Sequence, residues 1–187
     1  MPFRRQLLRS LTALLWLAGA AAGAAQEAAR LEPPPHYAEI ARQFASLLPS
    51  AHLLQLPLDD AISARAWTNY LAMIDYDRAY FLQADIDSFL PWRERLDDDL
   101  RDGNLIFAYA VFARFRQRLA ERSAYVGKLL DTGFDFGVRE SYRWKRKEAS
   151  WPADEAEQDE LWRLRIKNEY LGYAVAREHA ATNRPPR

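Results

Sequence analysis

The chain has 187 residues, with 26 basic and 26 acidic ones, a net charge of zero and no cysteine. Charge balance gives no reason to expect a nucleic-acid or other polyanion partner. The missing cysteines exclude disulfides, lipoprotein attachment and thiolate metal sites.

Arg4, Arg5 and Arg9 precede an apolar run over residues 11–22, and small residues follow up to Gln26. A positive start, a short apolar middle and a small-residue exit describe a secretory signal peptide, expected over residues 1–25. The apolar run falls short of the roughly 20 residues that span a bilayer, so no stable span is expected after cleavage. Cleavage leaves 162 of the 187 residues and removes three of the 26 basic ones, against 26 acidic, for a net charge of −3. That length suits one domain. Export of a cysteine-free chain fits a bacterial periplasm, with a retained inner-membrane anchor as the alternative.

Residues 26–36 include Pro33, Pro34 and Pro35 and read as an extended, mobile leader. Residues 37–48 carry Ile40, Phe44, Leu47 and Leu48 at helical spacing, and Pro49 is expected to stop that helix. The next pattern places Ile62, Ala66, Tyr70, Met73 and Ile74 on one helical stripe, widened by Trp67 and Leu71. Asp59 or Asp60 is positioned to cap it. A short connector, residues 75–81, leads to a second stripe of Ile86, Phe89, Leu90, Leu96 and Leu100, interrupted at Pro91. Neither stripe can be hidden alone, so the two are expected to form an αα-hairpin. Within the connector, Tyr80 and Phe81 are expected in the core, with Asp75 and Asp77 capping or pairing locally.

Asp97, Asp98 and Asp99 read as solvated surface, and Gly103 ends that segment. The longest periodic run follows, to about Leu130. Its inner face is expected to hold Leu105, Tyr109, Phe112, Phe115, Leu119, Val126 and Leu129. Arg114, Arg116, Arg118, Glu121 and Arg122 are expected to point mostly outward. Residues 131–137 read as a turn whose Phe134 and Phe136 plug the core. A last helix begins after Trp151 and Pro152, with acidic residues near its start and Leu161, Trp162, Ile166, Tyr170, Leu171 and Ala174 on its apolar side. No strand-like alternation of useful length occurs. The fold expected is all-α, five or more helices packed irregularly, orthogonal and antiparallel, over residues 37–177, with residues 178–187 as a disordered tail.

Two segments, in this order and spacing, carry a resemblance. The first holds Ile62-Ser63-Ala64, Tyr70-Leu71, Ile74-Asp75-Tyr76, Phe81-Leu82, Asp85-Ile86 and Phe89. The second holds Ser150-Trp151-Pro152, an acidic run, and Glu160-Leu161-Trp162. Together the sequence resembles the N-terminal helical domain of the tail-specific proteases, the carboxy-terminal processing serine peptidases of bacterial envelopes. The resemblance marks Asp75, Tyr76, Phe81, Trp151, Pro152 and Trp162 as family-like structural residues. It implies further helices, a PDZ domain and a serine–lysine protease core beyond the matching region, which this sequence does not contain. The chain is therefore expected to be inactive alone. It is expected to serve as a non-catalytic structural, substrate-enclosing or adaptor-docking module. The partners expected are the PDZ and protease domains or an envelope adaptor protein. The alternative is a free-standing periplasmic helical binding or regulatory protein derived from a truncated protease.

Chemistry-bearing constellations are few. Ser141 and Lys145 lie four apart and would share a face if helical, but basic neighbours surround them and nothing marks an oxyanion hole. His36, His52 and His179 have no partner at ligand spacing. No phosphate-binding glycine loop and no G-x-S-x-G elbow occurs. Neither a metal nor a cofactor is expected. Tyr142, Trp144, Lys145, Arg146 and Lys147 form a basic, aromatic-interleaved stretch and the candidate interface. It reads as a solvated loop with its aromatics buried, with anionic lipid, cell-wall polymer or a protease domain as the contacts weighed beside that.

Overall fold

A computed structural model describes residues 32–182, with side chains described to residue 180. The expected signal peptide, most of the leader and residues 183–187 lie outside them. Six α-helices and no strand occur among the described residues: α1 Pro35–Ala51, α2 Asp60–Ile74, α3 Gln83–Phe89, α4 Leu96–Asp102, α5 Ile106–Thr132 and α6 Glu155–Thr182. The fold is all-helical and irregular. No helix among the described residues is long and apolar enough to cross a membrane.

Pro35 occupies the first turn of α1, where its missing N–H costs nothing. The helix packs on α4 through small residues. Ala41 and Ala45 are its buried positions, and a side chain at Gly103 would meet the Ala38 carbonyl at 2.6 Å. Gly103 also takes the left-handed conformation, φ 75°, that ends α4. This close seam leaves Ile40, Phe44 and Leu47, the apolar side read from the sequence, exposed. Pro49 sits inside the last turn rather than stopping the helix, which runs on to Ala51.

Asp59 caps α2, its carboxylate accepting from the Ile62 N–H at 3.0 Å. The buried stripe of α2 is Ser63, Trp67 and Leu71, rotated by one residue from the apolar count, and Met73 is 70% exposed. The cause is polar. The Ser63 hydroxyl donates to the Asp97 carboxylate at 2.6 Å and accepts from the Asp97 N–H at 2.9 Å. This pair pulls one serine and one aspartate into the interior. Asp97 and Asp99 are both buried, so two residues of the acidic run expected at the surface are inside, and Asp98 alone stays exposed. Arg101 neutralises Asp97 at 2.7 Å. Burial raises the Asp97 carboxyl, but the hydrogen bonds from Ser63 and Arg101 outweigh it and hold it below its usual range.

The second expected stripe is broken. Pro91 falls in a 3-10 turn, Leu90–Trp92, between α3 and α4, and Leu90 is exposed. The core gathers Trp67, Leu71, Phe81, Ile86, Phe89, Phe107 and Val111. Phe81 meets Phe89 edge-on at 5.8 Å between ring centroids, and Phe89 meets Phe107 at 6.4 Å, the arrangement aromatic quadrupoles favour. The Trp67 indole N–H donates to the Phe89 carbonyl at 2.9 Å, and the Tyr70 hydroxyl to the Ala108 carbonyl at 3.0 Å.

Helix α5 is rotated relative to the apolar count as well. Phe107, Val111, Arg118 and Arg122 are its buried positions, whereas Phe112 and Leu119 are exposed. The arginines turn inward because carboxylates wait there, Asp85 for Arg118 and Asp159 for Arg122. Phe134 and Phe136 do not plug the core. They lie against Tyr170 of α6, each 5.9 Å from its ring, with Phe136 largely exposed. Helix α6 continues to Thr182, past the expected end at Arg177.

Candidate functional site

The connector between α2 and α3 is densely hydrogen-bonded. Asp75, 2% exposed, ends α2. One of its carboxylate oxygens accepts from the Ala79 N–H at 2.9 Å. The other accepts from the Tyr80 and Phe81 N–H groups at 3.1 and 3.0 Å and from the Trp151 indole at 3.2 Å. Burial pushes the Asp75 carboxyl above its ordinary value, against the pull of those four bonds. Arg78 closes the turn in the left-handed region, φ 50°, where a side chain other than glycine carries about 1–2 kcal/mol of strain. Two contacts offset it. Its guanidinium lies 4.4 Å over the Trp151 ring and donates to the Ala149 carbonyl at 2.6 Å.

The other side of the turn faces α6. The Ala79 carbonyl accepts from the Trp162 indole at 2.9 Å and from the Gln158 amide at 3.2 Å, and the same amide donates to the Tyr80 carbonyl at 2.6 Å. The Gln83 N–H donates to the Pro152 carbonyl at 2.8 Å. Asp85 caps the start of α3 through the Leu82 N–H at 3.0 Å and takes two bonds from Arg118, at 2.8 and 3.2 Å. Connector, α3, α5 and α6 are thus joined by one polar network under an aromatic core.

Above the network runs a non-helical segment, residues 133–154. Its first part is held by Glu140, which pairs with both Arg163 and Lys167. Their hydrogen bonds pull the Glu140 carboxyl down to about 2. Its last part is held by Arg78 at Ala149 and Trp151. Between these straps the candidate interface residues come together. Tyr142 and Arg146 are half-buried and Lys145 and Lys147 exposed, while Trp144, expected to be buried, is 67% exposed. The Lys145 ammonium lies 4.9 Å over the Trp144 ring and that of Lys147 5.8 Å over Tyr76. Of the family-like residues, Asp75, Phe81, Pro152 and Trp162 are buried, Trp151 is half-buried and Tyr76 is 59% exposed.

Ser141 and Lys145 are not on a helix. Both are exposed on this segment, so the lysine is not desolvated as a general base must be. Arg78, Asp85, Arg118 and Gln158 belong to the network and were not singled out by apolar periodicity. The signal available was spacing. Positions 107, 111, 118 and 122 share one helical face, two of them arginine.

Fold and network together define a helical scaffold whose long surface segment is locked to its core. The family model for the tail specific protease N-terminal domain matches residues 44–185, and the chain belongs to that family. It is similar to the tail-specific protease of Haemophilus influenzae (strain ATCC 51907 / DSM 11121 / KW20 / Rd), 30% identical over 125 residues. That match covers 66% of this chain and 18% of the relative.

Proposed function

We propose that this chain is a non-catalytic helical module of a tail-specific protease, serving to enclose substrate or to dock an adaptor while chemistry is done elsewhere. The observation that carries the reading is the contrast between centre and surface. The polar groups of the connector are committed to one another, and the exposed segment above them presents rings and cations but no activated nucleophile. Asp75 accepts four hydrogen bonds and Asp85 is spent on Arg118 and a helix cap, so neither carboxylate is free for acid–base work. The role lies in processing or degrading envelope proteins from their carboxyl ends, as the family resemblance implies. It is set in the periplasm because Arg4, Arg5 and Arg9 precede an export-like apolar run.

Two measurements test it. The purified chain, incubated with an unfolded substrate bearing an apolar tail, should cleave nothing. Steady cleavage abolished by Ser141→Ala overturns the non-catalytic reading. In the Haemophilus relative, replacing the matching segment with residues 35–182 should preserve cleavage of that substrate, whereas excising the segment should abolish it. Full cleavage after excision overturns the module reading.

A further inference from the structure

Many arginines and lysines elsewhere in this fold answer to carboxylates, though Arg65, Arg78, Arg116, Lys128 and Arg177 enter no ion pair among the described residues. Arg42, Arg101, Arg114, Arg118, Arg122, Arg163 and Lys167 each lie within 4.0 Å of a carboxylate. The surface segment is where unpaired cations cluster. Arg139, Arg143, Lys145, Arg146 and Lys147 enter no ion pair among the described residues. Four of these five cations line a surface cleft of about 430 Å³, together with the exposed rings of Trp144 and Tyr76 and the side chains of Asp77 and Glu148. That volume falls within the roughly 300–1,000 Å³ of ligand sites.

The backbone there is open too. Among the described residues, no N–H or C=O group of residues 139–145 takes part in a hydrogen bond. Such groups at a surface are a template for pairing with another extended chain. The segment is nevertheless not loose. Glu140 is strapped to α6, and Ala149 and Trp151 to Arg78, so little ordering remains to be done on binding. Loops of this length without secondary structure are uncommon in compact domains and are usually functional.

We propose that this cleft docks an acidic, extended segment of a partner polypeptide. Its carboxylates meet Arg143, Lys145, Arg146 and Lys147, and an apolar side chain between them meets the Trp144 and Tyr76 rings. Arginine forks match carboxylates in bidentate geometry. Three observations favour a peptide over a membrane or a nucleic acid. The cleft also contains Asp77 and Glu148, which repel a dense polyanion but tolerate sparse carboxylates. The chain has no net positive charge to draw it to an anionic surface. The unpaired backbone suits another backbone. The inference deepens the docking part of the proposed role and rests on it only for its setting.

The test is fluorescence anisotropy of a fluorescein-labelled peptide of alternating glutamate and leucine, titrated with the full chain. Saturable binding is expected, weakened about tenfold or more by Trp144→Ala and by Lys145→Glu with Lys147→Glu. It should weaken further as salt rises from about 50 to about 500 mM, because exposed charges are screened. Circular dichroism verifies that the variants stay folded, and the double charge reversal keeps the test valid should Trp144→Ala perturb the segment. A peptide with glutamine for glutamate should bind about tenfold more weakly. Equal binding of the glutamine peptide, binding indifferent to both variants, or no saturable binding overturns the proposal. So does sedimentation with vesicles of phosphatidylglycerol and phosphatidylethanolamine when the peptide does not bind. A chimeric protease that cleaves normally while the peptide fails to bind sinks this inference alone. Loop-dependent peptide binding beside an inactive chimera sinks only the module reading.

Discussion

Asp75 is the point at which the fold is most exposed to a single atom's change. Asp75→Asn keeps the shape and leaves one oxygen to accept. With that oxygen placed toward Tyr80, Phe81 and Trp151, the new amide faces the Ala79 N–H at about the 2.9 Å now spanned by a hydrogen bond, donor against donor. One buried, unpaired donor costs about 1–3 kcal/mol. Asp75→Ala removes both oxygens. The Ala79 and Phe81 N–H groups, both on buried residues, then lose their acceptor together. At about 1–3 kcal/mol each the cost is about 2–6 kcal/mol, before any loss from Tyr80 and the Trp151 indole. Urea unfolding at neutral pH, followed by helical circular dichroism, reads both as shifts in midpoint at constant slope. The expected order is wild type, then Asp75→Asn, then Asp75→Ala. Equal stability of the alanine and asparagine variants would refute the claim that the carboxylate organises the connector, since it would mean that water serves the same donors as well.

Four further predictions probe other levels of the fold. Arg118→Ala should destabilise, by less than the about 3–5 kcal/mol of a fully stranded buried charge because Arg114 stays 3.4 Å from the Asp85 carboxylate, and urea unfolding of the Arg118→Ala, Arg114→Ala double variant should show the larger loss. Trp162→Ala should cost about 3–5 kcal/mol, whereas Trp144→Ala should stay within about 0.5 kcal/mol, one ring being core and the other surface. Gly103→Ala combines a left-handed φ of 75° with a 2.6 Å approach to the Ala38 carbonyl, so it should cost more than about 1 kcal/mol and speed proteolysis near α1. The folded-state pKa of Glu140 is depressed from 4.5 to about 2, so its contribution is fully present above about 4.5 and is lost as pH falls toward 2. The thermal midpoint of the wild type should therefore drop more across that window than the midpoint of Glu140→Gln.

The helices and their order were legible in the sequence because Ile, Leu and aromatic residues recur at helical spacing and Asp59 and Gly103 punctuate them. The faces were less so. On α2 the inner stripe contains Ser63, on α5 it contains Arg118 and Arg122, and on α1 it is alanine. A count of apolar residues turns α2 and α5 only part of the way, placing Trp67, Leu71 and Phe115 correctly against the core but missing the polar inner residues, because the partner that makes each of them affordable lies elsewhere in the chain. Ser63 and Asp97 are separated by 34 residues, Asp85 and Arg118 by 33. The run of three aspartates misled for the same reason, being divided between core and solvent by helical geometry. At the candidate site, the basic aromatic stretch was visible as composition. That its cations lack carboxylate partners, and that its backbone is open, are properties of the folded surroundings.

Those surroundings also explain how α6 is placed. Its apolar residues are few at the interface, and Tyr170, Leu171 and Tyr173 are exposed. What fixes the helix is donors aimed at a turn roughly eighty positions earlier, Gln158 and Trp162 at the Ala79 carbonyl. That carbonyl is presented only because Asp75 has wound the connector around its own carboxylate, and Trp151, which donates to the same carboxylate, leads directly into α6. The connector therefore sets both the start and the direction of the last helix. The surface segment shares that support, held by Arg78 of the connector at one end and by Arg163 and Lys167 of α6 at the other. Connector, segment and helix are consequently one mechanical unit, in which the exposed cleft is rigid because the turn beneath it is.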